Sequence, residues 1–179
     1  MKTNDELRLV RPEDFVVDDL SGFREEMMDS DSGADAYAGC CRIEQYQHIP
    51  TWVEWTKRVK DKIVKPLVVP THTFLAVRQK DDKIVGIIEL HPKLYDKGLC
   101  TCCSHISLTV RPCERNKGYG TEMLRLMLEK CRKIQMRAVS LSCGAENMVA
   151  DQMIKTNGGK FDREGSDGKN ILRLYTLRL

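Results

Sequence analysis

A chain of 179 residues suits one domain, read over residues 1–179. Its 29 Lys and Arg against 26 Asp and Glu leave a net charge of +3, and 41% of the residues are hydrophobic. That balance excludes a polybasic nucleic-acid module and an acidic disordered chain, and a domain of this size buries roughly 70% of its unfolded surface without covalent staples.

Leu7–Val10 is a short strand stopped by Arg11-Pro12. Pro12, with Glu13 and Asp14 behind it, predicts a helix start, with Phe15, Leu20 and Phe23 on the apolar side. Asp29–Ala36 is small and polar and reads as a loop, a candidate for a mobile acceptor segment. Thr51 and Glu54 form a capping-box pattern ahead of a stripe of Trp52, Trp55, Val59 and Ile63, read as core. Thr73–Arg78 and Lys83–Leu90 flank the polar turn Gln79–Asp82 as a hairpin with a loop longer than two residues. His91–Ser104 is irregular. His105–Arg111 alternates, with Ile106, Leu108 and Val110 on one face, and Pro112 ends it.

A helix follows over Gly118–Ile134, burying Met123, Leu124, Met127, Leu128, Cys131 and Ile134. Glu122, Arg125, Glu129 and Lys133 form its solvated face. Ala138–Cys143 is another strand, and Asn147–Thr156 a short helix closed by Gly158-Gly159. Lys160–Arg163 and Ile171–Leu179 close the fold as an antiparallel pair. No apolar run approaches the ~20 residues of a membrane span. Met1–Arg11 lacks the apolar core of a signal peptide, so the expected compartment is the cytoplasm and the eight cysteines are read as thiols.

The chemistry concentrates in Arg111–Thr121. A strand ends, a turn follows, and a helix begins at Gly118-Tyr119-Gly120. A helix start offers unpaired N–H groups and partial positive charge, and two glycines remove side chains that would keep a phosphate away. Arg115 and Lys117 add charge at the rim. Neither the P-loop pattern nor GxGxxG is present.

Arg115-x-x-Gly118-x-Gly120 resembles the acetyl-CoA loop of the GNAT superfamily of N-acetyltransferases. Val110-Arg111-Pro112 through Thr121-Glu122-Met123-Leu124 strengthens the likeness, as does the run Cys143, Asn147, Ala150, Ile154, Lys155, Asn157-Gly158-Gly159. It covers nearly the whole chain and is specific between Ser104 and Gly159. It implies an α/β (α+β) fold: a mixed, mostly antiparallel sheet, helices on both faces, and a splayed central parallel pair formed by His105–Arg111 and Ala138–Cys143. It also implies that the pantetheine arm of acetyl-CoA pairs with Leu108, Thr109 and Val110. The pyrophosphate would sit on Arg115, Asn116, Lys117, Gly118, Tyr119 and Gly120 with Thr121 nearby, and Asn147 would bond the pantetheine.

Acetyl transfer to an amine needs a base for the ammonium, a donor for the oxyanion and a leaving thiolate. Glu89, ending the apolar run Ile84–Ile88, is the candidate base. His91 reads as an exposed loop residue and His105 as structural. Ile154 stands where the family commonly has a tyrosine, so no general acid is expected; Tyr119 and Tyr175 are the alternatives. Cys100, Cys102 and Cys103 lack zinc-site spacing, so no metal is expected. The activity implied is acetyl-CoA-dependent N-acetylation of a small-molecule or peptide amine, without nucleic-acid or membrane partners and with a possible homodimer through the terminal strands. The competing classes are a non-catalytic acyl-CoA sensor, a Cys-rich metal or redox protein, and a transferase of another acyl group.

Overall fold

The computed structural model describes residues 3–15, 18–30, 39–40, 42–61, 70–94 and 104–179. Seven strands are described: β1 (Leu7–Val10), β2 (His72–Arg78), β3 (Lys83–Leu90), β4 (Ile106–Val110), β5 (Ala138–Gly144), β6 (Lys160–Ser166) and β7 (Ile171–Arg178). Four helices accompany them: α1 (Asp18–Ser30), α2 (Ile49–Asp61), α3 (Tyr119–Lys133) and α4 (Met148–Thr156). The strands form two antiparallel sheets, ordered β1-β2-β3-β4 and β5-β7-β6. β4 and β5 are joined through α3, the kind of crossover that parallel neighbours require.

Alternation along β2 and β3 sends side chains into two cores, one on each face of the first sheet. On one face Phe74, Ile88 and Leu90 pack with Met123, Leu124 and Met127 of α3, and this core continues to Val139, Leu141 and Ile154. On the other, Leu75, Val77 and Ile87 pack with Leu20, Phe23 and Met27 of α1 and Trp52 of α2. Helices therefore cover both faces, as expected from the resemblance. No helix among the described residues is long and apolar enough to cross a membrane.

Local signals misled at five places. Pro12–Asp14 forms a separate 3₁₀ turn, Phe15 is extended, and α1 starts at Asp18. Proline and acidic residues suit the first turn of either helix type, so the pattern did not distinguish them. Thr51 is the third residue of α2 rather than its cap, because Pro50 already occupies the first turn, where its missing N–H costs nothing. Glu54 pairs with Lys57 instead, at 2.6 Å. Trp52 and Val59 are buried as expected, Trp55 is half-buried, and Ile63 lies outside the described residues. Ile134 follows the last turn of α3 and is 51% exposed, because the helix ends before that position turns inward. β6 runs three residues past Arg163, paired with β7 as far as Ser166 with Ile171. Of the loop read at Asp29–Ala36, the first two residues belong to α1 and the others lie outside the described residues.

The two ends of α3 provide a test of this packing. Leu124→Ala, in a fully buried position, should lower the unfolding free energy by about 2–5 kcal/mol. Ile134→Ala should change it by less than about 0.5 kcal/mol. Urea denaturation of both variants measures the contrast.

Candidate active site

The two sheets part between β4 and β5 and leave a cleft of about 1140 Å³. Its walls are Ile106–Val110 on one side and Leu141–Gly144 on the other, with the start of α3 and residues of α4 closing it. At one end the sheets are pinned. The His105 amide donates to the Ser140 carbonyl at 2.8 Å, and the Ser140 amide donates to His105 Nδ1 at 3.0 Å. The Ser142 amide donates to Ser104 Oγ at 2.8 Å. His105 is therefore structural, as read from the sequence.

Ladder parity determines which backbone groups face the gap. The Arg111 amide donates to the Val85 carbonyl at 2.8 Å. In an antiparallel ladder inward and outward groups alternate, so Thr109 bonds β3 while Leu108 and Val110 turn their N–H and C=O groups toward the cleft. Their side chains line it too, which is why these two are only half-buried despite the clean alternation. Thr109 and Ser107 point their side chains to the α1–α2 face.

The chain then makes a 3₁₀ turn at Pro112–Glu114 and enters α3 through Asn116 at φ +61° and Gly118 at φ +84°. Only glycine adopts the second of these without strain, and no side chain caps the helix. The amides of Gly118, Tyr119, Gly120 and Thr121 find no acceptor among the described residues. They form four convergent donors at the mouth of the cleft, the arrangement that holds a phosphate. A Cβ on Gly120 would lie 3.1 Å from Met153 Sδ and 3.5 Å from Val110 Cγ2, both cleft residues. The bare glycine therefore keeps the space between β4 and α4 open beside these donors.

The loop is fixed by buried charge that the sequence reading missed. Glu114 is 3% exposed and accepts from Arg78 at 3.0 Å, Lys83 at 2.9 Å and Lys117 at 2.8 Å. Burial alone would raise its pKa, but the hydrogen bonds from Lys117 and Lys83 and the charge of Arg78 outweigh that and hold it at about 2. Arg78 also donates to the Tyr119 hydroxyl at 2.9 Å, gripping the loop at both ends. Arg111 is buried against Asp19 and Glu26 of α1, each at 2.7 Å, and Glu26 also takes the Cys113 amide. Lys117 is exposed at the rim, as read from the sequence, and pairs there with Glu114. Tyr119 contributes its amide to the cleft, but its side chain is buried and its hydroxyl also donates to Asp5. Arg115 stays at the rim, with Nε donating to the Val110 carbonyl at 3.2 Å. No short motif announces Glu114 or Arg78, since their partners are brought together by the fold.

The remaining candidates fall around this centre. Thr121 lines the cleft, and its carbonyl accepts from Asn157 at 3.1 Å. Asn147 lines it as well and caps α4 by accepting from the Ala150 amide at 3.0 Å, which leaves its Nδ2 donors for a ligand. Ile154 is buried at the cleft wall. Tyr175, the other tyrosine considered, is buried and donates to Asp151. Glu89 is 6% exposed and accepts from Thr73 Oγ1 at 3.3 Å. The register sets Thr73, Glu89 and Ser107 in one row across the sheet on its α1–α2 face, with Ser107 at the cleft. His91 is half-buried rather than an exposed loop residue: its ring meets Thr71 Oγ1 at 3.1 Å, and burial with nearby His105 and His72 holds its pKa at about 4. Gly39, at φ +79°, lies directly on β4, where a Cβ would come within 2.5 Å of the Ser107 carbonyl oxygen. Cys100, Cys102 and Cys103 lie outside the described residues, and among the described residues no group of side chains could hold a metal.

The profile of the acetyltransferase (GNAT) family matches residues 32–158. The chain belongs to the GNAT acetyltransferase family, which uses acetyl-CoA. No curated protein sequence matches it. The fold is similar to the GNAT-family acetyltransferase of Bacillus anthracis at 16% identity and TM-score 0.65, over 99% of this chain and 98% of that one. It is similar to yncA of Salmonella typhimurium, solved with its cofactor acetyl-CoA, at 11% identity and TM-score 0.64, over 97% and 93%. It also resembles the dodecameric spermidine N-acetyltransferase of Vibrio cholerae at 13% identity and TM-score 0.60, over 97% and 92%.

Glu114→Gln tests the buried anchor. A carboxyl whose folded pKa is lowered from 4.5 to about 2 stabilises the fold fully above about pH 4.5, and this contribution is lost as the pH falls toward 2. At pH 7 the variant should be about 3–5 kcal/mol less stable, since three cations lose their common partner. Urea titrations between pH 2 and 7 should show the gap to wild type narrowing at the acid end.

Proposed function

We propose that this protein transfers the acetyl group of acetyl-CoA to a primary amine by direct attack. The observation that carries this reading is the cleft: four unpaired amides at the start of α3 meet an open strand edge at Leu108 and Val110. A pyrophosphate suits the amides of Gly118–Thr121, with Arg115 at the rim and the Asn116–Lys117 backbone shaping the turn. An extended amide-bearing arm suits the β4 edge at Leu108 and Val110, with Thr109 holding that strand to β3 and Asn147 Nδ2 donating from the opposite side. Acetyl-CoA supplies the activated acyl group as a thioester.

The chain's own groups then have three tasks. Glu89 takes the proton of the ammonium, through Ser107 or a water in the same row, on the face covered by Gly39 and Cys40. A backbone N–H of the β4 edge near Val110, one that the arm leaves free, donates to the developing oxyanion. The leaving thiolate departs without a dedicated acid, because Ile154 has no proton to give and the Tyr119 and Tyr175 hydroxyls are already bonded to carboxylates. A thiol pKa of about 8.5 makes this tolerable. Spermidine, the substrate named for the Vibrio protein, is an amine, which suits an amine acceptor here. We assign the protein to the cytoplasm, where thiols such as those of Cys113, Cys131 and Cys143 stay reduced. A homodimer would use the edge strand β6, beside which Phe161 and Ile171 are 53% and 60% exposed.

Two variants separate binding from chemistry. Gly120→Val should weaken acetyl-CoA binding at least tenfold, about 1.4 kcal/mol; calorimetry on the folded variant with unchanged affinity would refute the phosphate seat. Glu89→Gln should lower turnover by roughly 10²–10⁴ with acetyl-CoA affinity nearly constant. Wild-type turnover across the pH range, read by release of free CoA thiol over a panel of amines, would remove Glu89 from the reaction.

A further inference from the structure

The far end of α3 carries a second groove, of about 610 Å³, which shares no residue with the cleft. Along α3 the linings of the two are separated from Thr121 to Lys130, about 14 Å. Phe74, Leu90 and the exposed Ile134 give it an apolar lining, and basic side chains surround this. Arg11 Cζ stands 4.2 Å from the Phe74 ring centroid and Lys130 Nζ stands 4.6 Å from the same centroid, so two cations share one aromatic ring. Lys133 lies in the same lining, where Asp14 is the single carboxylate among the described residues. The nearest acid on the helix, Glu129, is bonded to Arg125.

The negative end of a helix favours lysines in its last turn, and that suffices for Lys133. It does not account for Lys130 turned onto Phe74 beside Arg11. Burial, with the charges of Arg11 and Lys133, lowers the pKa of Lys130. Grooves of several hundred Å³ with an apolar floor and a few convergent charges are the usual form of small-molecule sites.

We propose that this groove is a binding site for a small organic anion. Its carboxylate or phosphate head would be taken by Lys130 and Lys133, and its apolar body would lie against the half-buried Leu9 and the exposed Ile134. The proposal does not rest on the acetyl-transfer reading. CoA affinity, measured on the same samples, reports on that reading separately.

The probe is phenyl phosphate, titrated into the ¹⁵N-labelled full chain. Saturable shifts are expected at the amides of Phe74, Lys130 and Ile134, weakening as salt is raised. The neutral analogue benzyl alcohol should leave those amides unsaturated. The double variant Lys130→Gln/Lys133→Gln should lose at least tenfold in affinity, while Lys130→Arg/Lys133→Arg keeps it. These lysines lie at the surface end of the helix, and circular dichroism checks that both variants are folded. Shifts confined to Gly118–Thr121, equal saturation by benzyl alcohol, or unchanged affinity in the glutamine variant would each overturn the proposal.

Discussion

A carboxylate buried among three cations holds the start of α3 in position. Glu114 joins the β2–β3 hairpin, through Arg78 and Lys83, to the loop that leaves β4. Arg78 extends the linkage to Tyr119, and Tyr119 to Asp5, which also pairs with Lys80. On the other side Arg111 and the Cys113 amide tie the same loop to α1. A buried pair of this kind is costly to desolvate and contributes little net stability against an apolar substitute. Its value lies in geometry, because the unpaired amides of Gly118–Thr121 point in a fixed direction before any ligand arrives. Donors arranged in advance lose little freedom on binding.

This division of labour explains why the loop contains charges that do not face the cleft. Lys117 and Glu114 are engaged with each other, while backbone dipoles and Arg115 face the cleft. The same principle operates across the gap. β4 is held to β3 through its odd-numbered residues, which turns the even-numbered ones, Leu108 and Val110, to the cleft edge, where the Val110 carbonyl accepts from Arg115. The pins at His105 and Ser104 keep β5 close at one end while the start of α3 occupies the other. The sheet is thus interrupted over only a few residues, and these are the ones that line the cleft.

Much of this was legible in the chain. The strand–turn–helix at Val110–Thr121 and its two glycines gave the position of the helix start with its unpaired amides, and the alternation in Thr73–Leu90 gave the hairpin. Boundaries set by competing local signals were not legible: Pro12 opens a 3₁₀ turn, and Pro50 rather than Thr51 marks the start of α2. Nor were long-range charge contacts. Arg78 and Glu114 are 36 positions apart, and Arg111 and Glu26 are 85 apart. Each reads alone as a surface residue, and only the hairpin and the α1 packing make partners of them. Gly39 is a similar case, since nothing adjacent to it signals that a strand passes within van der Waals contact.

The open rim of β4 has one further consequence. A strand with unpaired N–H and C=O groups is normally a hazard at the periphery of a protein, where another chain can add to it. Here the rim faces inward, into a wedge closed by Ser104 and His105 at one end and by α3 and α4 at the other. A slender arm bearing amides has room there. Such an arm would act as the missing strand of the sheet. Because only the folded chain offers that vacancy, the molecule should resist unfolding in proportion to the logarithm of the concentration of whatever fills it.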